Sequence, residues 1–390
     1  MKIAHYILRY WLSDGGPIRA ITDLSNACAA RGHEVTLITT DDREAPESWK
    51  KNSGPDYSPG TPRIRLIPRP ALPLGLFDAA GKRAAEAAIA ECDVLHLHGV
   101  WVPSALQCAN IAQKMRKPYV LSVRGMLDDW CMAQQPAKKR LYLSLGARRM
   151  LEKAGWVHCT AEFEFEQARK WFPKGRGKVI PNLMEIKGFN TMPGPELARQ
   201  KFEILRNGLP AVLFLSRVHI KKGIELLIEA SAKLRASGLD HNVMIAGDGE
   251  PAYVESLKKH AAQLNMSDRV AFLGMVTGKD KLSLFEACRL FVLPTYQENF
   301  GFVFYESLGA AVPMITTPDV DTWPELKASG GALIVERDVN KYVTAMREML
   351  SDPDRCRRMG EAGKAWLFEN MDPAKLVTRY EEIYQSAGHR

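Results

Sequence analysis

This 390-residue sequence has no apolar run near the roughly 18 residues that a membrane-spanning helix needs, and its start, Met1-Lys2-Ile3-Ala4-His5-Tyr6, enters a strand pattern instead of a secretory leader. The expected location is therefore the cytoplasm. Cysteine is sparse: the seven (Cys28, Cys92, Cys108, Cys131, Cys159, Cys288, Cys356) are odd in number, scattered and without a CxxC pair, which argues against a disulfide scaffold and against structural zinc. A GxGxxG fingerprint and a GxSxG nucleophile elbow are absent, which weakens a dinucleotide-binding reading and argues against a covalent hydrolase. There is no repeat period or low-complexity tail. What remains, at 46% hydrophobic and 25% charged residues, is a globular chain long enough for two domains.

The net charge of +8 is unevenly placed: residues 1–185 hold 27 Lys/Arg against 19 Asp/Glu, whereas residues 186–390 hold 26 of each. Residues 101–150 alone carry nine basic side chains against Asp128 and Asp129. Such a concentration points to an anionic partner surface. No nucleic-acid reading motif or stacking surface accompanies it, so nucleic acid is set aside. Within Gln134–Lys153, Lys138, Lys139, Arg140, Arg148, Arg149 and Lys153 interleave with Leu141, Tyr142, Leu143, Leu145, Met150 and Leu151. That pattern suits either a helix lying near acidic lipid headgroups or a core-packed helix with a solvated basic face.

Short apolar runs rich in β-branched residues alternate with amphipathic stretches, the signature of parallel α/β sheets. Strands are predicted at Ile3–Leu8, Glu34–Thr39, Ile64–Pro68, Val94–His98, Tyr119–Val123, Val157–Thr160 and Lys178–Ile180, then at Ala211–Ser216, Asn242–Ala246, Val270–Leu273, Leu290–Leu293, Pro313–Thr316 and Ala332–Val335. Helix patterns such as Ile18–Arg31 and Pro103–Arg116 separate them. Two doubly wound sheets follow, with a break between Pro181 and Pro210. The expected domains are 1–185 and 186–370. A final helix over 371–390, opened by Asp372-Pro373, must bury Leu376, Val377, Tyr380, Ile383 and Tyr384. Ser48–Thr61, polar and rich in Pro and Gly, reads as a mobile loop.

Ligands of such folds bind at the C-terminal ends of strands, and four clusters sit there. Ser13-Asp14-Gly15-Gly16-Pro17 opens the first helix, where Gly15 and Gly16 allow close backbone approach to an anion, or form an ordinary turn. In Ser216–Gly223, Arg217 and Lys222 can converge on one anion, or mark a solvated basic turn. In Glu298–Glu306, Glu298 lies in a loop, free N–H groups follow near Gly301, and Glu306 lies about one turn into a helix. Carboxylates there suit sugar hydroxyls, although acids also favour helix starts without any ligand. The fourth cluster is His96 and His98, sharing a strand face, with Arg124 at the end of the next strand. No third ligand lies at a convincing spacing, so no metal is assigned, and Asp319/Asp321 is read as a chance acid pair.

In this order the clusters resemble the retaining glycosyltransferases of family 4, over almost the full chain. The matching pieces are Gly15-Gly16, Arg217…Lys222-Gly223, Ile245-Ala246-Gly247-Asp248-Gly249, Glu298 to Glu306, Gly309…Pro313 and Pro324-Glu325-Leu326, and Ile180-Pro181-Asn182 looks like the family's interdomain junction. The resemblance implies a GT-B fold, two doubly wound Rossmann-like parallel-sheet domains facing a central cleft, with the last helix crossing back to the first domain. It implies an acceptor-binding first domain and a nucleotide-sugar-binding second one. Arg217 and Lys222 would hold the donor diphosphate, helped by Gly15, Gly16 and the stretch Asn299, Phe300, Gly301, Phe302 and Val303. Glu306 would hold the ribose and Glu298 the donor sugar. The family typically has a histidine where this chain has Arg124, and His98 could partly substitute for that imidazole. Implied too is metal-independent, retaining hexosyl transfer from a nucleoside diphosphate sugar to a hydroxyl of a glycan or lipid-linked acceptor in cell-surface polysaccharide biosynthesis; the basic pattern of Gln134–Lys153 adds the expectation of peripheral attachment to the inner membrane face. A GT-B-type nucleotide-sugar epimerase and a non-catalytic nucleotide or glycan binding subunit are the alternatives.

Overall fold

The computed structural model describes residues 1–54 and 57–389, with the side chain of Asp14 left aside. All thirteen predicted strands are present, each within two residues of its expected ends: β1 (Lys2–Tyr6), β2 (Glu34–Thr39), β3 (Arg63–Leu66), β4 (Val94–His98), β5 (Tyr119–Ser122), β6 (Trp156–Cys159), β7 (Gly177–Val179), β8 (Ala211–Leu215), β9 (Asn242–Ala246), β10 (Val270–Gly274), β11 (Leu290–Leu293), β12 (Met314–Thr316) and β13 (Ala332–Ile334). They form two all-parallel sheets, ordered β3-β2-β1-β4-β5-β6-β7 and β10-β9-β8-β11-β12-β13. Parallel strands are covered by helices on both faces, which is why β4, β9 and β11 are buried at every position.

The chain divides into two compact units, residues 1–185 together with the segment from Pro373, and Ile186–Asp372. Each sheet reverses its strand order once, between β1 and β4 in the first unit and between β8 and β11 in the second. At such a reversal the two flanking loops diverge and leave a crevice beyond the strand ends.

The helix Pro373–Ser386 lies in the first unit, with Leu376, Val377, Tyr380, Ile383 and Tyr384 all buried. Arg31 and His33 both bind Glu381 Oε1, at 2.9 and 2.8 Å, and the Trp156 indole donates to Ser386 Oγ at 2.9 Å.

Two expectations change. The stretch Ser48–Thr61 is pinned instead of loose. A short helix, Glu47–Lys51, buries Trp49, whose indole N–H donates to Asn26, and the Asn52 side chain bonds the backbone of Ser58 and Thr61. Pro55 and Asp56 of that stretch lie outside the described residues. Gln134–Lys153 is not one helix but Pro136–Tyr142, a π turn at Leu143–Ala147 and Arg148–Lys153, broken where Gly146 takes φ 138°. The break buries Leu143, Ala147, Met150 and Leu151 while leaving Leu141 and Leu145 exposed.

Candidate active site

In the second unit the site grows from the loops after β8 and β11. Gly223 takes φ +66°, and a Cβ there would stand 2.2 Å from the Pro294 carbonyl oxygen, so only glycine lets these loops touch. Once in contact, the Tyr296 N–H donates to the Lys221 carbonyl at 2.8 Å. On the other side, Gly247 (φ +136°) brings the Ile245–Gly249 run against the Ser216 carbonyl, where a Cβ would sit at 1.9 Å.

This seam places Lys222 on Glu298. Lys222 is buried, and its Nζ lies 2.5 Å from Glu298 Oε2, while Lys221 bonds Gln297 beside it. Burial alone would raise the Glu298 carboxyl, but the charge and hydrogen bond of Lys222, with Lys221 and the Asn299 amide, bring it below its ordinary value. The Glu298 loop is tied to the next crossover. Glu298 N–H donates to the Asp319 carbonyl, Asp321 N–H to the Glu298 carbonyl, and Asn299 Nδ2 to Asp321 Oδ2 at 2.9 Å. Asp321 thus braces this loop, and Asp319 pairs with Arg337.

Gly301 then caps the helix Phe302–Gly309, with the Phe304 N–H donating to the Gly301 carbonyl at 2.9 Å and no side chain closing the helix start. Phe300 and Phe302 are buried, and Val303 is partly so. Glu306 is buried on this helix and its Oε1 meets Lys281 Nζ at 2.9 Å. Arg217 is exposed, and its side chain makes no bond among the described residues. A part-buried ion pair, a second carboxylate, a helix start and an unengaged guanidinium therefore share this end of the unit, a set suited to an anion linked to a polyol.

In the first unit, Gly15 (φ +70°) and Gly16 are exposed at the start of the helix Gly16–Ala30, with open space around the Gly15 Cα. Strand register aligns His5 with His96 and His98 with Ser122, and Ser122 with His158, so polar side chains form a row inside the sheet. Tautomers follow from the partners. Arg124 can only donate, and its Nε and Nη2 lie 3.3 and 3.0 Å from His98 Nδ1. His98 must then carry its proton on Nε2 and give it to His5 Nδ1 at 3.1 Å. Likewise His158 Nε2 donates to the Ile180 carbonyl at 2.8 Å, so its Nδ1 accepts from Ser122, Ser122 accepts from His96 Nε2, and His96 Nδ1 accepts from the Tyr384 hydroxyl at 2.8 Å. Burial holds all four imidazoles neutral, His5 and His158 down at about 3 and His96 and His98 well below the usual value. Burial also lowers Arg124, partly offset by Tyr380 and Glu164.

The expectation that His96 and His98 lack a third partner is corrected by His5, whose ring nitrogens lie within 4.8 Å of theirs. Only the strand order reveals it, because β1 and β4 are far apart in sequence. All three are engaged in hydrogen bonds, His5 with His98 and His96 with Ser122 and Tyr384, and His98 faces a guanidinium where a metal-bound imidazole would face an acceptor. Also unforeseen are Lys281 on Glu306, Asp321 on Asn299 and Asn182 on Arg124.

Comparison with known proteins gives the family. Residues 198–366 match the family described as Glycosyl transferases group 1, and residues 15–183 match the Glycosyl transferase 4-like domain. A GDP-mannose-dependent alpha-(1-6)-phosphatidylinositol monomannoside mannosyltransferase of Mycobacterium tuberculosis is 30% identical over 87% of this chain and 86% of its own. The alpha-monoglucosyldiacylglycerol synthase of Streptococcus pneumoniae is 24% identical over 91% and 79%. Among solved structures, Anabaena HepE in complex with UDP superposes with a TM-score of 0.77 at 18% identity, covering 99% of this chain and 100% of that one. Two parallel-sheet, Rossmann-like domains of the GT-B class define a glycosyltransferase fold. The chain belongs to glycosyltransferase family 4 and is a nucleotide-sugar glycosyltransferase.

Proposed function

We propose that the chain transfers a hexosyl group, with retention, from a nucleoside diphosphate sugar held mainly by the second unit to a hydroxyl of a glycan or lipid-linked acceptor held by the first, as in cell-surface polysaccharide or glycolipid synthesis. The observation that carries this reading is the Lys222–Glu298 pair at the strand-order reversal. Lys222 and the unengaged Arg217 neutralise the diphosphate, with backbone at Phe300 to Val303. Glu306 takes the ribose hydroxyls and Glu298 the donor-sugar hydroxyls. In an oxocarbenium-like transition state charge grows on the departing phosphate, so the two cations act more on that state than on bound donor. The leaving group and the incoming hydroxyl share one face, and no side-chain nucleophile takes part. In this reading Lys222 and Arg217 perform the charge neutralisation without a metal ion.

Lipid-linked acceptors are supported by the two relatives, whose names specify lipid products or substrates. Exposed Leu141 and Leu145 beside Lys138, Arg140, Arg148 and Arg149 support peripheral docking on an anionic membrane face. No helix among the described residues is long and apolar enough to cross a membrane.

A thermal-shift panel of UDP, GDP and ADP sugars tests the donor, since ligand at about 100 times its Kd adds roughly 2.7 kcal/mol. Product from the stabilising donor should keep the donor's anomeric configuration by NMR. A new nucleotide-sugar isomer formed without acceptor would make the protein an epimerase, and binding without release of nucleoside diphosphate a non-catalytic subunit.

A further inference from the structure

Arg124 is a cation without a counter-ion. It is only partly exposed, at the end of β5, in the left-handed region at φ 52°. Its bonds go to neutral acceptors, His98 Nδ1 and, at 3.4 Å, Asn182 Oδ1. No carboxylate among the described residues lies within ion-pair distance of it. Glu164, a carboxylate whose charge acts on it, is occupied by the N–H groups of Gly125 and Thr160 and by the Thr160 hydroxyl. A guanidinium has five N–H donors. The Nε donor and one on Nη2 are directed at His98 and one on Nη1 at Asn182, which leaves one donor on each terminal nitrogen for carboxylate or phosphoryl oxygens.

The inner edge is held by an ordered chain. His98 can accept from Arg124 only while its proton sits on Nε2, and that requires an acceptor beyond it, which His5 Nδ1 supplies. A proton on His98 Nδ1 would turn the bond into a clash of donors.

We propose that Arg124 is a seat for an acidic group, carboxylate or phosphoryl, on a sugar bound by the first unit, and that His5 is a positioning residue that acts on this seat through the His98 tautomer. The inference deepens the transferase reading and rests on it, while its test reads binding alone.

Full-length protein is titrated calorimetrically with glucuronate, with glucose 6-phosphate and with glucose as the neutral control. The expected result is saturable binding of at least one acidic sugar, stronger than glucose by tenfold or more. That binding persists in Lys222→Ala, drops at least tenfold in Arg124→Gln and is only partly kept by Arg124→Lys, which retains charge without the fork. Preference for glucuronate assigns a uronate and preference for the phosphate assigns a phosphosugar. His5→Leu should weaken binding several-fold, and His5→Asn, whose side-chain oxygen can replace Nδ1 as acceptor, should restore it, as a merely space-filling role would not allow. Histidine-ring nitrogen spectra of the unmutated protein guard against misfolded variants: His98 should show a protonated Nε2 and a bare Nδ1, and its signals should move with acidic sugar. No binding of either acid at tens of millimolar, binding that ignores Arg124→Gln, or a proton on His98 Nδ1 overturns the proposal. Transfer activity on neutral acceptors alongside such a result would leave the transferase reading standing.

Discussion

At the scale of single residues, Lys222 and Glu298 are coupled. Because burial favours the neutral carboxylic acid and Lys222 is the main group opposing it, removing the lysine leaves that upward push countered only by Lys221 and the Asn299 amide. Lys222→Met should therefore move the acid limb of the kcat/KM profile toward neutral pH, and should lower kcat more than it weakens donor binding. An unmoved acid limb would mean that Glu298 does not control it. Arg217, Lys222 and Glu298 could be singled out in the sequence because each lies in the loop after a buried strand, and Glu306 because it lies about one turn into the helix that follows. What they touch could not: Lys281 and Asp321 reach the site from other crossovers, and His5 meets His98 only through strand pairing.

At the scale of elements, the strands were legible because parallel strands buried on both faces leave continuous apolar, β-branched runs. The broken segment around Gly146 was not. Its leucines keep near-helical spacing across the break, and only tertiary packing decides which of them turn inward. The closing helix was legible as an apolar stripe, but not its polar anchors. The Tyr384 hydroxyl is buried and donates to His96, so Tyr384→Phe leaves a buried acceptor unmet. Urea unfolding should show a loss of about 1–3 kcal/mol, and a smaller effect would mean that water replaces the bond.

At the scale of the whole molecule, the buried histidines give stability a pH dependence. His5 and His158, at about 3 in the fold against roughly 6.5 unfolded, take up protons only on unfolding across that interval, and His96 and His98 shift in the same direction. Their contribution is complete above about pH 6.5 and is lost as pH falls toward 3. The slope of unfolding free energy against pH should steepen below 6.5 and flatten in His158→Phe or His96→Phe variants that remain folded.

Charge placement gives a second test at this scale. Sedimentation with phosphatidylglycerol vesicles should capture the protein at low salt and release it as salt shortens the screening length. Leu141→Asp with Leu145→Asp should abolish capture, because both side chains stand exposed at 59% and 72%. Capture unaffected by salt and by these changes would remove the membrane from the account.

The residues from Pro373 onward complete the first unit although they follow the second in the chain. On the ribosome, the second unit therefore has its full sequence before the first has its last helix. Until that helix emerges, the nascent chain exposes the apolar cover sites of the sheet and leaves His96 without Tyr384. A stop codon near residue 370 would thus strand the earlier-made half in an incomplete, aggregation-prone state.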